Sequence, residues 1–375
     1  MNKFLCCLIS LFCSLFFYTL KVNGADVKEI SPENAVNIAL KKNIDILNAG
    51  IDYEIAKNNI EIASSLQNPH LVSDLFLGRI AKGNSNQIGI LMPVEIAKRK
   101  IRKNIVIDEA QIKYFQLRKK IYQIKKDVYL SYILLMLYKE KFILEEKYLA
   151  FLIHKKFNDN EYKKLLILKQ QNYLKDIISE IGLKRQQFND LIQSDANTIY
   201  DVIDYDIYNF KFDEKILTDY LYEIVEINKN ILEKEENAAL KNIQLTKNKR
   251  IPDILVGGGI AYEYGEKTYD HDNVGGFISL DFEVPVLNFY NAEIKNAVLS
   301  YEQVKMKKIQ SEKEMRQYIH SKEKEFSILK NNYISARKNF ESFHLSKNKE
   351  AVFTVKKDYI KSFEELIIFF CNLKE

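Results

Sequence analysis

The sequence predicts a mixed α and β fold made by duplication, in which a helix, a β-hairpin and a long helical hairpin occur twice in the same order. Two observations carry this expectation. Four of the five prolines form matching pairs, Pro69 with Pro93 and Pro252 with Pro285, each enclosing a strand-like stretch between long helical segments. Proline lacks the amide proton that a helix or ladder needs, so it collects where one element hands over to another. The residues ahead of the pairs also match. Ala56-Lys-Asn-Asn-Ile60-Glu-Ile62 precedes Pro69 at the same distance as Ala239-Leu-Lys-Asn-Ile243-Gln-Leu245 precedes Pro252, the self-similarity expected of a repeat. Asn43-Ile-Asp-Ile46-Leu47 and Asn228-Lys-Asn-Ile231-Leu232 give a further match, two residues out of register.

The N-terminal segment has the build of a secretory signal peptide. Lys3 opens a basic region, Phe4 to Leu20 is apolar, and Val22-Asn23-Gly24 supplies small residues for a cut before Ala25. Residues 1–24 are assigned to it, with an uncleaved membrane anchor as the other reading of a run this long. Cys6, Cys7 and Cys13 lie inside it, leaving Cys371 as the one cysteine of the mature chain. An exported chain without disulfides must be stable through packing or assembly. Removing this segment, which contains Lys3, Lys21 and no acid, takes the formal charge from +5 to +3. That near balance, with charged residues interspersed among apolar ones, suits solvated helix faces and gives no sign of a nucleic-acid partner.

The remaining chain divides into a first repeat over residues 25–194 with its hairpin at about 69–93, an inter-repeat or equatorial segment at 195–222, and a second repeat at 223–375 with its hairpin at about 252–285. From about Ala97 to Phe157 there is neither proline nor glycine. Ile121, Val128, Leu135, Phe142 and Leu149 recur every seventh residue there, with Ile124, Tyr138 and Leu152 in companion positions, the seam of a coiled coil. At about 1.5 Å per residue this helix would extend roughly 90 Å. Its apolar run Val128 to Tyr138 is too short to span a bilayer and reads as the buried stretch of a long helix. Asn158-Asp159-Asn160 breaks the pattern, Asp159 or Asn160 can cap the next helix, and a return helix is expected from Glu161 to about Gln193. The second repeat uses the same device. Ile319, Phe326, Tyr333 and Phe340 are spaced by seven with Leu329, Ala336 and Phe343 beside them, a break falls at His344 to Asn348, and the return runs from about Glu350 to Asn372.

The hairpins carry a membrane signal. Ile254, Val256, Ile260, Tyr262 and Tyr264 share one parity, while Gly257, Gly259, Ala261 and Glu263 take the other. On the following strand Ile278, Leu280, Phe282 and Val284 oppose Phe277, Ser279, Asp281 and Glu283. Alternation over about ten residues suits a barrel strand with lipid outside and a wet lumen inside, and equally an amphipathic hairpin on a soluble core. Leu71 to Ile80 and Gln87 to Met92 alternate less well, with Ile88, Ile90 and Met92 the best stripe. Four strands cannot close a barrel, and open edges are not tolerated in hydrocarbon, so several copies would have to share one. Three chains contributing four strands each would give twelve, an even number inside the range of outer-membrane barrels. The full expectation is an α+β membrane protein in which long coiled-coil α-hairpins form a tunnel and the strands join a trimeric 12-stranded β-barrel.

Several of these residues together resemble the TolC family of outer-membrane efflux proteins. They are Ala35-Val-Asn-Ile-Ala39-Leu40 followed by Asn43-Ile-Asp-Ile46-Leu47, Pro69 before one hairpin, Arg250-Ile-Pro252-Asp253 before the other, and the exit Phe282-Glu-Val-Pro285-Val286-Leu287. The resemblance covers nearly the whole mature chain. It implies a homotrimer in the bacterial outer membrane with its helical part in the periplasm, docked to a periplasmic adaptor (membrane fusion) protein and an inner-membrane transporter, serving efflux or type I secretion without a cofactor. Glu95-Ile-Ala-Lys98-Arg99 resembles the first hairpin's exit in cation-efflux members, which usually read Glu-x-Gly-Gly-Lys-Arg; the glycines are absent here, and a basic cluster after a strand is more often a membrane-interface anchor or a solvated helix start, so metal cations or small toxic compounds are both expected substrates. The chain stops soon after its last helix, short of the family's usual tail, which implies a thinner equatorial girdle.

Site residues follow by position. Asn158, Asp159 and Asn160, with Ser346, Lys347 and Asn348, match the periplasmic turns and are the expected aperture and adaptor contact. Glu263, Asp281 and Glu283 are expected to line the lumen and favour cations, and Ile254, Val256, Ile260, Tyr262, Ile278, Leu280, Phe282 and Val284 to face lipid. No catalytic residue is expected. His70, His154, His271, His320 and His344 lack metal-type spacing, Tyr269-Asp270-His271-Asp272-Asn273 sits where the second hairpin must turn, and Gly257-Gly258-Gly259 lies inside a strand rather than at a helix start. The alternative from another class is a secreted or membrane-anchored coiled-coil scaffold with soluble hairpins.

Overall fold

The computed structural model describes residues 26–74, 85–95, 97–194, 198–203, 207, 214–263, 273–282, 290–343 and 345–373. In chain order these form β1 (Asp26–Ile30), α1 (Pro32–Lys42), α2 (Ile44–Ser64), β2 (His70–Asp74), β3 (Ser85–Val94), α3 (Arg99–His154), α4 (Asn160–Ile192), β4 (Thr198–Val202), α5 (Glu214–Asn248), β5 (Ile254–Glu263), β6 (Asn273–Phe282), α6 (Asn291–Phe343) and α7 (Lys349–Cys371). The helix, hairpin, long helix and return helix therefore occur twice, as the proline pairs and heptads predict. Two compact units are interleaved along the chain. One takes the described residues up to Asn48 with Arg118–Val225 and Arg316–Glu375, the other Ala49–Leu117 with Glu226–Met315.

Among its described residues the first unit is helical apart from one short pair of strands. The stretch read as a buried helix is one: Val128, Leu130 and every residue from Tyr132 to Tyr138 are buried. Of the predicted seam, Ile124, Val128, Leu135, Tyr138, Leu149 and Leu152 are buried, while Ile121 and Phe142 are partly covered. Helix α6 packs on α7 through an aromatic ladder in which Phe326 meets Phe370, Tyr333 meets Tyr359 and Phe363, and Phe340 meets Tyr359, with ring centroids 5.2–5.7 Å apart. Phe343, placed in that seam by its spacing, instead lies exposed at the helix end, where no further turn of α6 remains to cover it.

Sequence spacing did not reveal the small parallel sheet of this unit. Strands β1 and β4 pair in parallel from Asp26↔Thr198 to Ile30↔Val202. Asn189 on α4 holds β4 by donating to the Tyr200 carbonyl and accepting from its amide, at 2.8 and 2.7 Å. Asp201 then receives Arg185 at 2.9 Å and Lys139 at 3.1 Å. Asn43 makes the break between α1 and α2. Its buried side chain accepts from the amides of Asp45 and Ile46, capping α2.

In the second unit the two hairpins merge into one four-stranded sheet of order β2-β3-β5-β6. The joint is β3 against β5, antiparallel over ten residues from Ser85↔Glu263 to Val94↔Ile254. Each strand has a helix next to it in chain order, and these helices are tied together in the same order. Lys113 reaches Asp52 from α3 to α2, Lys241 pairs with Asp108 between α5 and α3, and Lys307 and Lys308 reach Glu235 and Glu236 from α6 to α5. Ala56, Ala63, Ala110 and Ala297 are small buried residues of these helices.

Both long helices start from a strained residue. Ala97 precedes α3 with φ 59° and Tyr290 precedes α6 with φ 53°, each a non-glycine residue in the left-handed region that a Cβ disfavours. The repeat is thus visible in backbone conformation as well as in sequence.

Candidate membrane-facing sheet and helical tips

The register of the four strands decides which side chains share a face. From β3↔β5 and β5↔β6, the set Ile88, Ile90, Met92, Val94, Ile254, Val256, Ile260, Tyr262, Val274, Ile278, Leu280 and Phe282 falls on one side, joined by Leu71 of β2. Nearly all of this face is uncovered. Ile278 is 91% exposed, Leu71 76%, Val274 69%, and Ile88, Ile90, Ile260, Leu280 and Phe282 all exceed half. The described lipid-facing candidates therefore lie together, Ile254 and Tyr262 being partly covered. Val284 lies outside the described residues. The weak stripe Ile88, Ile90 and Met92 joins the strong one because β3 pairs with β5, a partnership of residues far apart in the chain.

The opposite face mixes a glycine patch and polar residues with Val72, Leu91, Pro93, Leu255 and Phe277. Gly89, Gly257, Gly259 and Ala261 lie there with Gln87, Ser279 and Asp281, and Phe277 covers Gly259, its direct partner on β6. A Cβ on Gly89 would stand 2.9 Å from the tip of the Phe277 ring, so the ring reaches across two strands. Asp281 is exposed and accepts a 2.9 Å hydrogen bond from the Ser279 hydroxyl. Glu263 belongs to the same face by register, with its side chain outside the description, and Glu283 lies outside the described residues. Asp74, which sequence reasoning did not single out, also falls on this face because it pairs with Gln87; its strand is only five residues long, too short for parity to mark it.

The helical tips are ordered by caps. Asp159, not Asn160, is the cap of α4 and accepts from the amides of Glu161 and Tyr162 at 2.8 and 3.2 Å. Asn348 caps α7 through the Ala351 amide at 3.3 Å. Asn158, Asp159, Asn160, Ser346, Lys347 and Asn348 are all exposed. The structure adds the residues that bind the two tips together: Lys155 at the end of α3 pairs with Glu350 on α7 at 2.6 Å, and the Phe353 ring packs on Tyr148 and Phe151. Lys163 closes the first turn by donating to the carbonyls of Ile153 and Lys155.

Behind the tips lies a charged network. Glu145 on α3 is buried, accepts from Gln170 at 2.7 Å and pairs with Lys357 at 2.8 Å. The Tyr138 hydroxyl donates to Glu364 at 2.7 Å, and Lys141 reaches the other oxygen at 3.3 Å. Burial, reinforced by the Glu364 and Glu180 carboxylates, pushes the Tyr138 phenol well above the ordinary tyrosine range. Burial opposes the charge of Lys141, but Glu364, Tyr173 and Glu180 together outweigh it and hold the ammonium above its usual value. Among the described residues no group of three or more metal-type ligands occurs, and no helix is long and apolar enough to cross a membrane.

No family model and no curated protein matches the chain in sequence. Solved structures do. A membrane protein from Pseudomonas aeruginosa superposes with a TM-score of 0.60 at 11% identity, covering 90% of this chain and 88% of that one. The open-state MtrE outer-membrane channel of Neisseria gonorrhoeae gives 0.57 at 11%, covering 90% and 85%. The outer-membrane protein VceC of Vibrio cholerae gives 0.57 at 10%, covering 90% and 92%. The chain has the TolC-type channel fold. At these identities the likeness is one of architecture.

Proposed function

We propose that this chain is the outer-membrane channel component of a tripartite efflux or type I secretion system, working as a homotrimer that gives substrates a passive route. One observation carries the reading. The four-stranded sheet exposes a continuous apolar face, and among the described residues β2 and β6 each pair on one side only. Such a sheet is unstable in water and also in lipid, where unpaired amides and carbonyls cost several kcal/mol each. Pooling the sheets of three copies into a 12-stranded barrel satisfies both demands, and the channel fold supports it. Ile254, Val256, Ile260, Tyr262, Ile278, Leu280, Phe282 and Val284 then face lipid, while Glu263, Asp281 and Glu283 face the lumen together with Asp74. Acidic side chains repeated by threefold symmetry favour cations, which supports metal cations over anions as cargo, with small toxic compounds as the other class.

In this reading the barrel sits in the outer membrane and the helices extend into the periplasm. Asn158, Asp159, Asn160, Ser346, Lys347 and Asn348 form the aperture and meet a periplasmic adaptor, which links the channel to an inner-membrane transporter. The test is reconstitution of protein from an outer-membrane fraction into planar bilayers. Stepwise conductance and a trimer that dissociates only on heating are the expected results. A monomeric rod stable without detergent would overturn the proposal in favour of the coiled-coil scaffold.

A further inference from the structure

The start of α3 breaks a rule that the rest of the chain obeys. The helix opens Arg99-Lys100-Ile101-Arg102-Lys103, and its first turn contains no acid. A helix N-terminus carries about half a positive charge, so each cation placed there costs roughly 0.3–1 kcal/mol. The equivalent helix of the second repeat, α6, begins Asn291-Ala-Glu293 and has an acid in its first turn, so the fold itself does not require the basic cluster.

The end of α5 adds to the cluster. Lys247, Lys249 and Arg250 close that helix, and the Asn248 side chain donates to the Ala97 carbonyl at 3.1 Å, which brings the two helix ends together. Three carboxylates answer part of this charge. Glu95 takes Arg102 through both oxygens at 2.6 and 2.8 Å, Asp253 takes Lys98 at 2.9 Å, and Glu293 takes Lys249 at 2.8 Å. Arg250 donates to the Asn291 amide oxygen, and Arg99 to the Ser64 carbonyl at 2.5 Å. Among the described residues no carboxylate pairs with Arg99, Lys100, Lys103 or Lys247, and all four are exposed.

Position gives this surplus a partner. The cluster begins where the apolar sheet face ends, beside Val94, Ile251 and Phe282, which are 44%, 37% and 52% exposed, with Leu66 at 59% nearby. Ten-residue strands tilted in a barrel span about the height of the 25 Å apolar band, so residues just past the strand ends stand at headgroup level. Lysine stems lie along apolar surface while their ammonium groups reach outward.

Resting on the channel reading, we propose that Arg99, Lys100 and Lys103 of α3 with Lys247 of α5 form a binding surface for the headgroups of anionic phospholipids in the leaflet nearer the helices. A basic residue at an anionic membrane surface gains about 1 kcal/mol, enough to offset its unfavourable place at the helix start. The phosphate lies over the lysines and the acyl chains lie against Leu66, Ile251 and Phe282.

The experiment uses the full chain, delipidated in neutral detergent and exposed to equal phosphatidylglycerol and phosphatidylcholine, with bound lipid counted by native mass spectrometry. A parallel reconstitution uses vesicles of phosphatidylcholine alone and with one-fifth phosphatidylglycerol. The wild type should retain phosphatidylglycerol over phosphatidylcholine by about a hundredfold or more. The triple variant Lys100→Gln, Lys103→Gln, Lys247→Gln should lose on the order of fivefold of that preference per lysine, whereas Lys305→Gln with Lys313→Gln, further along α6, should keep it. Equal retention of the two lipids by the wild type, or an unchanged preference in the triple variant, overturns the proposal while leaving insertion into neutral vesicles intact. Failure to insert into either vesicle overturns the channel reading and this proposal with it.

Discussion

Gly89 and Gly259 are direct partners across the β3–β5 pair, and neither has room for a side chain. A Cβ at Gly259 would run into the Ile88 carbonyl and the Gly89 Cα, both backbone atoms that no rotamer change can move. Gly259→Ala is therefore expected to destabilise the sheet by about 1–3 kcal/mol and to lower the temperature at which the folded band on a gel becomes unfolded. Gly275→Ala is the control. Nothing lies within 4 Å of its added carbon, and removing a glycine from a strand interior should be neutral or worth a gain of about 0.5–1 kcal/mol.

Those glycines mark where sequence reading reaches its end. Alternation is local, so Ile254, Val256 and Ile260 against Gly257 and Gly259 reveal a two-faced strand to anyone counting by twos. The heptads of α3 and α6 and the breaks at Asn158 to Asn160 and His344 to Asn348 are legible for the same reason, whereas the choice of Asp159 over Asn160 and the cap at Asn348 needed the structure. That β3 lies against β5 is not, since it joins residues about 170 apart, and only that pairing makes the apolar face continuous and sets Gly89 opposite Gly259. The same distance hid β1 against β4. Lys155 with Glu350 and Glu145 with Lys357 needed the helices docked before either pair could be seen, and Asp74 sits in a strand too short to show its period.

Ile278 offers a direct test of what the apolar face meets. It is 91% exposed in the middle of β6, so in a protein surrounded by water Ile278→Arg would change stability by no more than about 0.5 kcal/mol. In a lipid-facing barrel strand the same change near the bilayer midplane costs about 2–4 kcal/mol. Loss of the variant from the outer-membrane fraction is expected. Wild-type levels of membrane-embedded variant would contradict a lipid-facing Ile278.

Ala97 and Tyr290 enter their long helices in the left-handed conformation, which costs a residue with a Cβ about 1–2 kcal/mol. Glycine removes that strain but gives back about 0.5–1 kcal/mol in the freedom of the unfolded chain. Ala97→Gly should stabilise by somewhat under 1 kcal/mol in chemical denaturation. Tyr290→Gly should gain less, because it also removes the ring over which Lys249 sits at 5.8 Å.

Lys357 holds a carboxylate that is 4% exposed at its side chain, while being itself one-third exposed. Lys357→Met leaves Glu145 with Gln170 but without its cation, and a loss of roughly 3 kcal/mol is expected, at the low end for a buried pair because one partner reaches water. The double variant Glu145→Leu, Lys357→Met should recover most of it, since apolar replacement of a buried pair is often neutral. Urea unfolding followed by circular dichroism separates the two. A single variant as stable as the wild type would show that the pair contributes nothing.

Tyr138, Lys141 and Glu364 give the helical unit an alkaline limit. Both Tyr138 and Lys141 are held above their ordinary values, Tyr138 by burial with Glu364 and Glu180, Lys141 by Glu364, Tyr173 and Glu180 together against its own burial. Below about pH 10 the tyrosine is protonated whether the chain is folded or not, so it adds no pH dependence there. Above that point the unfolded chain releases the proton while the folded chain keeps it, and stability falls by about 1.4 kcal/mol per pH unit for this one group. Lys141 acts with the same sign, its contribution complete below its unfolded value and lost as pH rises through the higher folded one. Tyr138→Phe removes the hydrogen bond to a charged acceptor and should cost about 1.5–3 kcal/mol at neutral pH, yet it should lose less further stability than the wild type between pH 10 and 11. Wild type and variant declining in parallel over that range would show that the phenol does not carry the effect. With 23 tyrosines in the chain, Tyr148 and Tyr173 among them also held above the ordinary range mainly by burial, the difference in ultraviolet absorbance between wild type and variant isolates the ionisation of Tyr138.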